Sequence, residues 1–389
     1  MQHKKDRFRN LVWKQFRKNK IAVASLYVLV ALATVALLAP LIANEKPLYI
    51  KLNGENFFPA FSFKKSLTIK SVSRTEEINF ASVDWKQLKY EKVLWSPIAY
   101  SPGKSDYANA NFISPGGDQK FLLNGNETPM PKRFWHWLGT GNLGDDLLAG
   151  LIHGARISLT IGFISMGIAS IIGILIGLLA GFFGDEKIII TRGKFLSIIT
   201  GIFIAWFYAF EIRSNNLSSA MENGSVDFIF QFLFSILILS AIIFLFLKAG
   251  NFIGKIRFLN KKFHVPLDSI LSRIIEIFVS LPVLLIIFTI AAISKPSLTN
   301  VMIIIGLTNW TTIARLTRAE MLRIRQLDYV QSAQALGFTN WRIIFKHALP
   351  NAIAPSLIAI TFGIGNAILT ESSLSFLGIG VPTDVVTWG

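Results

Sequence analysis

Long apolar runs alternate along this chain with short basic gaps and three longer polar stretches. Seven runs are apolar enough for helices that cross a hydrocarbon core, each needing about 20 residues. They are 21–43, 157–183, 190–210, 227–247, 270–294, 300–318 and 351–370. The 190–210 run is the weakest, because Arg192 and Lys194 leave its clean part at 195–210. Pro282 lies inside the 270–294 run and predicts a kink, with neighbouring helices or water satisfying the freed carbonyl. The pattern predicts an all-α polytopic membrane protein.

The polar stretches differ in kind. Residues 44–135 show strand-like alternation at 57–63 and 66–72, aromatics at Trp85, Trp95, Tyr100 and Tyr107, and turn signals at 101–103 and 114–117. They predict a small mixed domain or, in large part, extended loop packed on its neighbours. Residues 184–265 contain two of the seven runs, joined by a loop at 211–226. Two extra spans preserve the orientation of everything downstream, so this stretch reads as an inserted membrane hairpin. The third stretch, 329–350, carries its own helical pattern. Asp328 caps a helix holding Val330, Ala333, Ala335 and Leu336, and Gly337 stops it by accepting a left-handed conformation. Thr339 then caps a second short helix with Trp341, Ile344 and Phe345. Such a helix–turn–helix can slot into a groove on a soluble partner. The alternative is an amphipathic element on lipid headgroups, which Trp341 and the basic residues also suit.

Composition agrees with the pattern. The 389 residues are 52% apolar and only 16% charged, against roughly 25% charged in a soluble domain. Mean hydropathy is +0.50. An ordinary soluble enzyme is excluded. The net charge of +16 would suggest nucleic-acid binding, but the basic residues sort by side of the membrane. With the tail of Lys4, Lys5, Arg7, Arg9, Lys14, Arg17, Lys18 and Lys20 in the cytoplasm, the basic gaps 184–194, 248–264 and 315–346 all fall inside. The short outer loops 211–226 and 295–299 hold one Arg and one Lys. Every short loop obeys the positive-inside rule. The tail is too basic and its helix too long for a cleaved signal, so 1–20 reads as a cytoplasmic tail and 21–43 as a retained anchor.

Candidate chemistry is sparse. There is no Cys, which excludes disulfides and thiolate metal sites, and the five His, at 3, 136, 153, 264 and 347, lack metal-ligand spacing. Gly139, Gly141 and Gly144 fit a dinucleotide fingerprint literally, but a membrane helix follows where a soluble crossover helix is required. Gly103, Lys104 and Ser105 resemble the end of a phosphate loop, yet Ile98 stands where its first Gly belongs. The chain therefore has no ATP site. Gly173, Gly177 and Gly181 lie four apart and predict a helix-packing face; the alternative is that Gly is simply commoner in membrane helices. Arg273 and Glu276, three apart, predict a structural pair. Glu371, at the end of the last run, is read two ways: lining a substrate path or bonding a neighbouring helix.

Two segments carry longer patterns. In 329–350, Gln331, Ser332, Ala333, Gly337, Leu349 and Pro350 follow the cytoplasmic coupling-loop pattern of Glu-Ala-Ala, a Gly four residues on, then Leu-Pro twelve after it. Tyr329 and Val330 precede it as they do there, and Ala314, Arg315, Leu316 and Arg318 match the end of the preceding span. In 136–159, His136, Leu138, Gly139, Thr140, Leu143, Gly144, Asp146, Gly154, Ala155, Arg156, Ser158 and Leu159 match the more specific segment before the second span. Residues 369–381 also match. The chain departs at Gln331 (family Glu), Ser332 (family Ala), Asp145 (family Arg) and His347, where an apolar residue is common.

The resemblance is to the second-type permease of oligopeptide, dipeptide and nickel importers. It implies a type I ABC importer permease fold with 44–135 as an extracytoplasmic domain, 136–183 as signature segment and second span, 184–265 as the inserted hairpin, and 266–389 as permease core with a coupling loop at 315–350. It also implies one further span after Gly389. The implied activity is peptide import across a bacterial inner membrane by a non-catalytic subunit. Implied partners are a second permease, two cytoplasmic ATPases that bind ATP and Mg, and an extracytoplasmic binding protein. Tyr329, Gln331, Ser332, Ala333, Gly337, Trp341, Arg342, Leu349 and Pro350 would contact the ATPase. Import of nickel chelates or another small solute is an alternative. An ion-coupled secondary transporter is another, though the inverted repeats and midplane charges it needs are not seen.

Overall fold

The computed structural model describes residues 13–52, 54–62, 66–70, 75–79, 83–88, 90–123, 126–223, 225–256, 258–294, 296–382 and 385–389. Most of the basic tail, Phe63, Ser71, Val72, Arg257 and Lys295 lie outside these residues. In chain order, helix α1 is Lys20–Ile42, followed by strands β1 (Tyr49–Leu52), β2 (Glu55–Phe57), β3 (Ser66–Lys70), β4 (Thr75–Asn79), β5 (Lys92–Leu94), β6 (Lys120–Leu123) and β7 (Asn126–Pro129). Helix α2 is Leu147–Phe183; then come β8 (Ile189–Thr191), α3 (Arg192–Trp206), α4 (Ser214–Asn223), α5 (Ser225–Ile253) and β9 (Lys262–His264). The remainder is α6 (Leu267–Ser280), α7 (Val283–Ile293), α8 (Leu298–Ile324), α9 (Asp328–Ala335), α10 (Asn340–Ile343), α11 (Leu349–Ala352) and α12 (Ala354–Phe376).

Among the described residues, five helices are long and apolar enough to cross a membrane: Lys20–Ile42, Leu147–Phe183, Arg192–Glu211, Phe230–Ile253 and Ala354–Phe376. The expected 270–294 span is two helices, α6 and α7, broken at Leu281 and Pro282; counted as one, they would make a sixth. Pro282 is the N-cap of α7, a position that needs no N–H donor. Helix α8 contains the expected 300–318 span, but Asn300, Thr308, Asn309, Thr311 and Thr312 dilute its hydropathy, and it is not among the five. Thr308 and Asn309 return their side chains to the carbonyls of Ile304 and Ile305, which satisfies these polar groups inside the helix.

The chain divides into two compact units. The first comprises Met1–Ile171, Leu281–Trp310 and Leu357–Gly389. Its polar part holds a sheet in the order β2-β1-β5 and two hairpins, β3-β4 and β6-β7, all antiparallel. Ile50 and Trp85 are its buried centre, wrapped by Leu52, Phe57, Val83, Leu88, Tyr90 and Trp95. The strand-like run at 57–63 is a correction: it ends at Phe57, because Pro59 opens a 3-10 turn over Pro59–Phe61. The domain is tied to α1 by two backbone bonds: Asn44 N–H donates to the Ile98 carbonyl, and Ile98 N–H donates to the Ile42 carbonyl.

The second unit comprises Ile172–Ser280 and Thr311–Ser356. Here 184–265 is closed at its base by β8 and β9, which pair antiparallel from Ile189↔His264 to Thr191↔Lys262. The chain thus leaves and rejoins at one place. Helix α3 buries Gly193, Ser197, Gly201 and Ala205, four apart along one face. Without side-chain bulk there, α5 packs close: Ser197 Oγ donates to the Phe246 carbonyl at 2.7 Å. Close backbone approach of this kind drives helix pairing in lipid, and it explains why the weakest apolar run is a helix.

Candidate functional site

The 329–350 segment is built on a cluster in the second unit. Val330 and Ala333 of α9 are buried with Leu178 and Phe182 of α2, Met321 and Ile324 of α8, and Ile343, Ile344, Ala348 and Ala352 farther along. Leu349 packs against the same cluster. Val330 and Ala333 are three apart, so α9 presents one face inward and the other outward. Tyr329, Gln331, Ser332, Leu336, Trp341, Arg342, Phe345 and Pro350 are exposed. Ala335 and Leu336, expected on the apolar side, are therefore on the outward one.

The turn is a Schellman motif. Gly337 has φ +76°. Phe338 N–H donates to Ala333 O at 3.1 Å and Gly337 N–H to Gln334 O at 2.9 Å, satisfying carbonyls at the helix end. Phe338 then packs against the cluster. Of two expected caps, one is corrected and the other holds in position only. Leu327, not Asp328, is the N-cap of α9, so Asp328 is the first helical residue, where its charge still suits the helix dipole. Thr339 is the N-cap of α10, but its side chain makes no capping bond. Trp341 stacks on Phe345 with ring centroids 5.8 Å apart, and Arg342 lies 4.5 Å over the Phe338 ring. Asn351 Nδ2 donates to Tyr329 Oη at 3.2 Å. Gln331 donates to the Gln326 carbonyl at 3.0 Å and, with Gln334, borders a groove shared by Asp185, Lys187 and Arg325.

The glycines expected as a packing face support this seat. A Cβ on Gly177 would stand 2.6 Å from Ala314 O and Thr317 Cβ; one on Gly181, 2.7 Å from Arg318 O and Met321 Cβ. Gly173 is buried. Arg318 is locked by Asp268, Nη2 to Oδ2 at 2.7 Å and Nε to Oδ1 at 2.5 Å. Arg273 and Glu276 pair at 2.7 Å, both exposed.

In the first unit, 136–159 is a clasp between the polar domain and α2. His136 is wholly buried. Its Nδ1 lies 2.8 Å from Asp146 Oδ2 and its Nε2 3.3 Å from Asp106 Oδ2. Asp146 also caps α2, accepting from Ala149 N–H at 2.6 Å. The backbone of His136 exchanges two bonds with the Gln119 amide, and its ring stacks on Tyr100 at 3.9 Å. Burial opposes a charged imidazole, but the bonds to Asp106 and Asp146 outweigh it and hold the His136 pKa above its ordinary value. Burial likewise opposes the Asp106 carboxylate, yet bonds from His136 and Asn109 hold its pKa below the ordinary one. Gly144 has φ +85°, and a Cβ there would meet Asp106 O at 2.0 Å. Among the described residues, no group of three or more His, Asp or Glu side chains could hold a metal ion.

Glu371 is also wholly buried. Ser158 Oγ of α2 donates to its Oε2 at 3.3 Å and Ser375 Oγ to its Oε1 at 2.7 Å. Ser158 lies on α2 and Ser375 on the same helix as Glu371, so the carboxylate bonds a neighbouring helix and its own. Ser158 Oγ also accepts from Trp388 N–H at 3.2 Å, so this carboxylate anchors the 385–389 segment to α2 and α12.

Sequence reasoning missed Asp106, Tyr100 and Asp268. Asp106 and His136 are 30 residues apart and Asp268 and Arg318 are 50 apart, so no local pattern links them. Phe338 had a signal: an apolar residue directly after a helix-stopping Gly is the usual companion of a Schellman cap.

Comparison with known proteins adds identity to this geometry. Residues 249–389 match the family described as binding-protein-dependent transport system inner membrane component. Residues 8–59 match the N-terminal TM domain of oligopeptide transport permease C. The inner membrane ABC transporter permease protein YejE of Escherichia coli is 26% identical over 381 residues, 95% of this chain and 81% of that protein. The peptidoglycan transport system permease protein YejE of Agrobacterium fabrum is 27% identical over 391 residues, covering 95% and 78%. The dipeptide transport system permease protein DppC of Alkalihalophilus pseudofirmus is 28% identical over 254 residues, covering 65% and 57%. Residues 249–389 thus carry the domain of binding-protein-dependent transport system inner membrane components, residues 8–59 that of oligopeptide transport permease C, and the relatives similar over most of the chain are ABC transporter and peptidoglycan transport permeases.

Proposed function

We propose that this chain is the permease subunit of an ATP-driven importer that moves peptides into the cytoplasm. The observation that carries the reading is the division of labour in 329–350. Val330 and Ala333 are fixed in the cluster beneath, while Tyr329, Gln331, Ser332, Trp341 and Arg342 are left outward for a partner. Because Met321 and Ile324 belong to the same cluster, a push on α9 is delivered to the end of α8. The partner is a pair of ATPases holding ATP and Mg, so this chain needs no cofactor of its own. A second permease completes the pathway, and a binding protein delivers cargo on the side of the polar domain. The basic tail and loops support a cytoplasmic N-terminus. Peptide cargo is supported by the match to oligopeptide permease C and by the dipeptide relative; peptidoglycan cargo is a second reading, favoured by the Agrobacterium relative.

Uptake tests the proposal. Cells carrying the intact transporter should accumulate labelled di- and oligopeptides in an ATP-dependent manner, and an ATPase pair should co-purify with this chain. Purification without any ATPase, or unchanged peptide uptake after its deletion, would sink it.

A further inference from the structure

The polar domain holds a cavity of about 440 Å³ that the transport reading leaves unused. That volume falls within the roughly 300–1,000 Å³ of small-ligand pockets. Its buried wall is Trp85, Ala99 and Tyr100. Lys86 projects over that wall, its Nζ 3.3 Å from the Tyr100 ring centroid and 5.3 Å from that of Phe134. The neighbouring cations are already paired: Lys104 with Glu45 at 2.5 Å and Lys120 with Glu127 at 2.7 Å. Lys86 makes no ion pair within 4.0 Å among the described residues. Its ammonium is half-buried over these two rings, and burial pushes its pKa down to about 8 against the pull of Asp106, Asp84, Asp146 and Glu45. A desolvated cation in this state gains most from an anionic oxygen that accepts its free N–H groups.

The rest of the wall narrows the ligand. Glu45, Asp84 and Asp106 also line the cavity, so a simple polyanion would be repelled. A zwitterion satisfies both signs: carboxylate on Lys86, ammonium toward the acidic residues. We propose that this cavity binds a short peptide by its C-terminal carboxylate, with Lys86 as the anchoring cation and Tyr100 as the surface beneath it. The choice of a peptide among zwitterions rests on the import reading above.

The test uses the full chain in lipid nanodiscs, without binding protein, titrated calorimetrically with trialanine and with trialanine amide. Trialanine should bind saturably, and the amide, which lacks the carboxylate, about tenfold more weakly. Lys86→Met should weaken trialanine binding by a similar factor and leave the amide unaffected, while Lys86→Arg should retain binding. The amide arm uses the wild-type chain and so does not depend on how the variants fold. No saturable trialanine binding, as expected if an acidic side chain of a partner protein fills the cavity instead, overturns the proposal. So does equal binding of the amide, or an unchanged affinity in a folded Lys86→Met variant. Uptake separates this from the import reading: trialanine bound but never imported would leave the pocket standing and remove peptide import, while import without pocket binding would do the reverse.

Discussion

The backbone N–H of Phe338 reaches back to the carbonyl of Ala333, 3.1 Å away, and this bond forms only because Gly337 between them stands at φ +76°. Nothing lies within 4 Å of where a Gly337 Cβ would be. Replacement is therefore a matter of backbone preference and not of space. Gly337→Asn should be tolerated, because Asn visits the left-handed region. Gly337→Val should cost about 2 kcal/mol locally, tilt α10 relative to α9, and lower peptide uptake while ATP hydrolysis persists. Measuring hydrolysis and uptake together in reconstituted vesicles checks this; coupled uptake at the wild-type ratio in the Val variant would refute it.

The two glycines beneath that turn behave differently. A Cβ on Gly177 meets backbone oxygen of Ala314 at 2.6 Å, and one on Gly181 meets that of Arg318 at 2.7 Å. Backbone cannot swing aside as a side-chain end can. Gly177→Val and Gly181→Val should each destabilise by about 1–3 kcal/mol or more through overpacking. Gly167, on the same helix with nothing within 4 Å, is the internal control. Thermal unfolding in detergent should drop clearly for the first two, whereas Gly167→Ala should be near neutral.

These positions show what the sequence could and could not reveal. Gly177 and Gly181 are legible because a four-residue spacing places them on one helix face. Gly337 is legible because a helix-stopping residue followed by Phe338 and Thr339 is local chemistry. Pro282 marked the break between α6 and α7 for the same reason. Leu336 was misread because the Schellman turn carries it outward after the helical period has ended. The pairing of β8 with β9 was invisible: each strand is three residues, and about seventy residues separate them. His136 stood out only through resemblance, since its two carboxylates come from before and after it in the chain.

Glu371 offers a test between two chemistries. Its oxygens accept from Ser158 and Ser375, and Ser158 in turn holds Trp388. An acceptor is all this arrangement requires. Glu371→Gln keeps a carbonyl oxygen and should preserve both stability and uptake. Glu371→Ala leaves buried hydroxyls unpaired and should cost about 1–3 kcal/mol, seen as a lower unfolding temperature. Uptake abolished in a stably folded Gln variant would show that the carboxylate itself handles cargo or protons.

The His136 clasp makes the polar domain pH-dependent in a stated direction. Its folded pKa is raised, so its contribution is fully present below the unfolded value of about 6.5 and is lost as pH rises through the folded value. Asp106 works oppositely: its pKa is lowered, so its contribution is present above the unfolded value of about 3.9 and is lost as pH falls through the folded one. The domain should therefore resist protease best in mildly acidic buffer and loosen toward alkaline pH. Lys86 works in the opposite direction: burial lowers its pKa to about 8, so the cost of burying its charge is relieved, and stability gained, as pH rises through that value toward the unfolded one. His136→Gln separates the two. It leaves Asp146 and Asp106 without their shared cation, which should cost about 3 kcal/mol by the rule for a broken buried pair, and it removes the alkaline loosening while leaving the opposing gain from Lys86. Limited proteolysis of both proteins across the pH range reads this directly. Cleavage profiles of the same shape in the wild type and in His136→Gln would mean that Asp106 and Asp146 do not hold a charged imidazole between them.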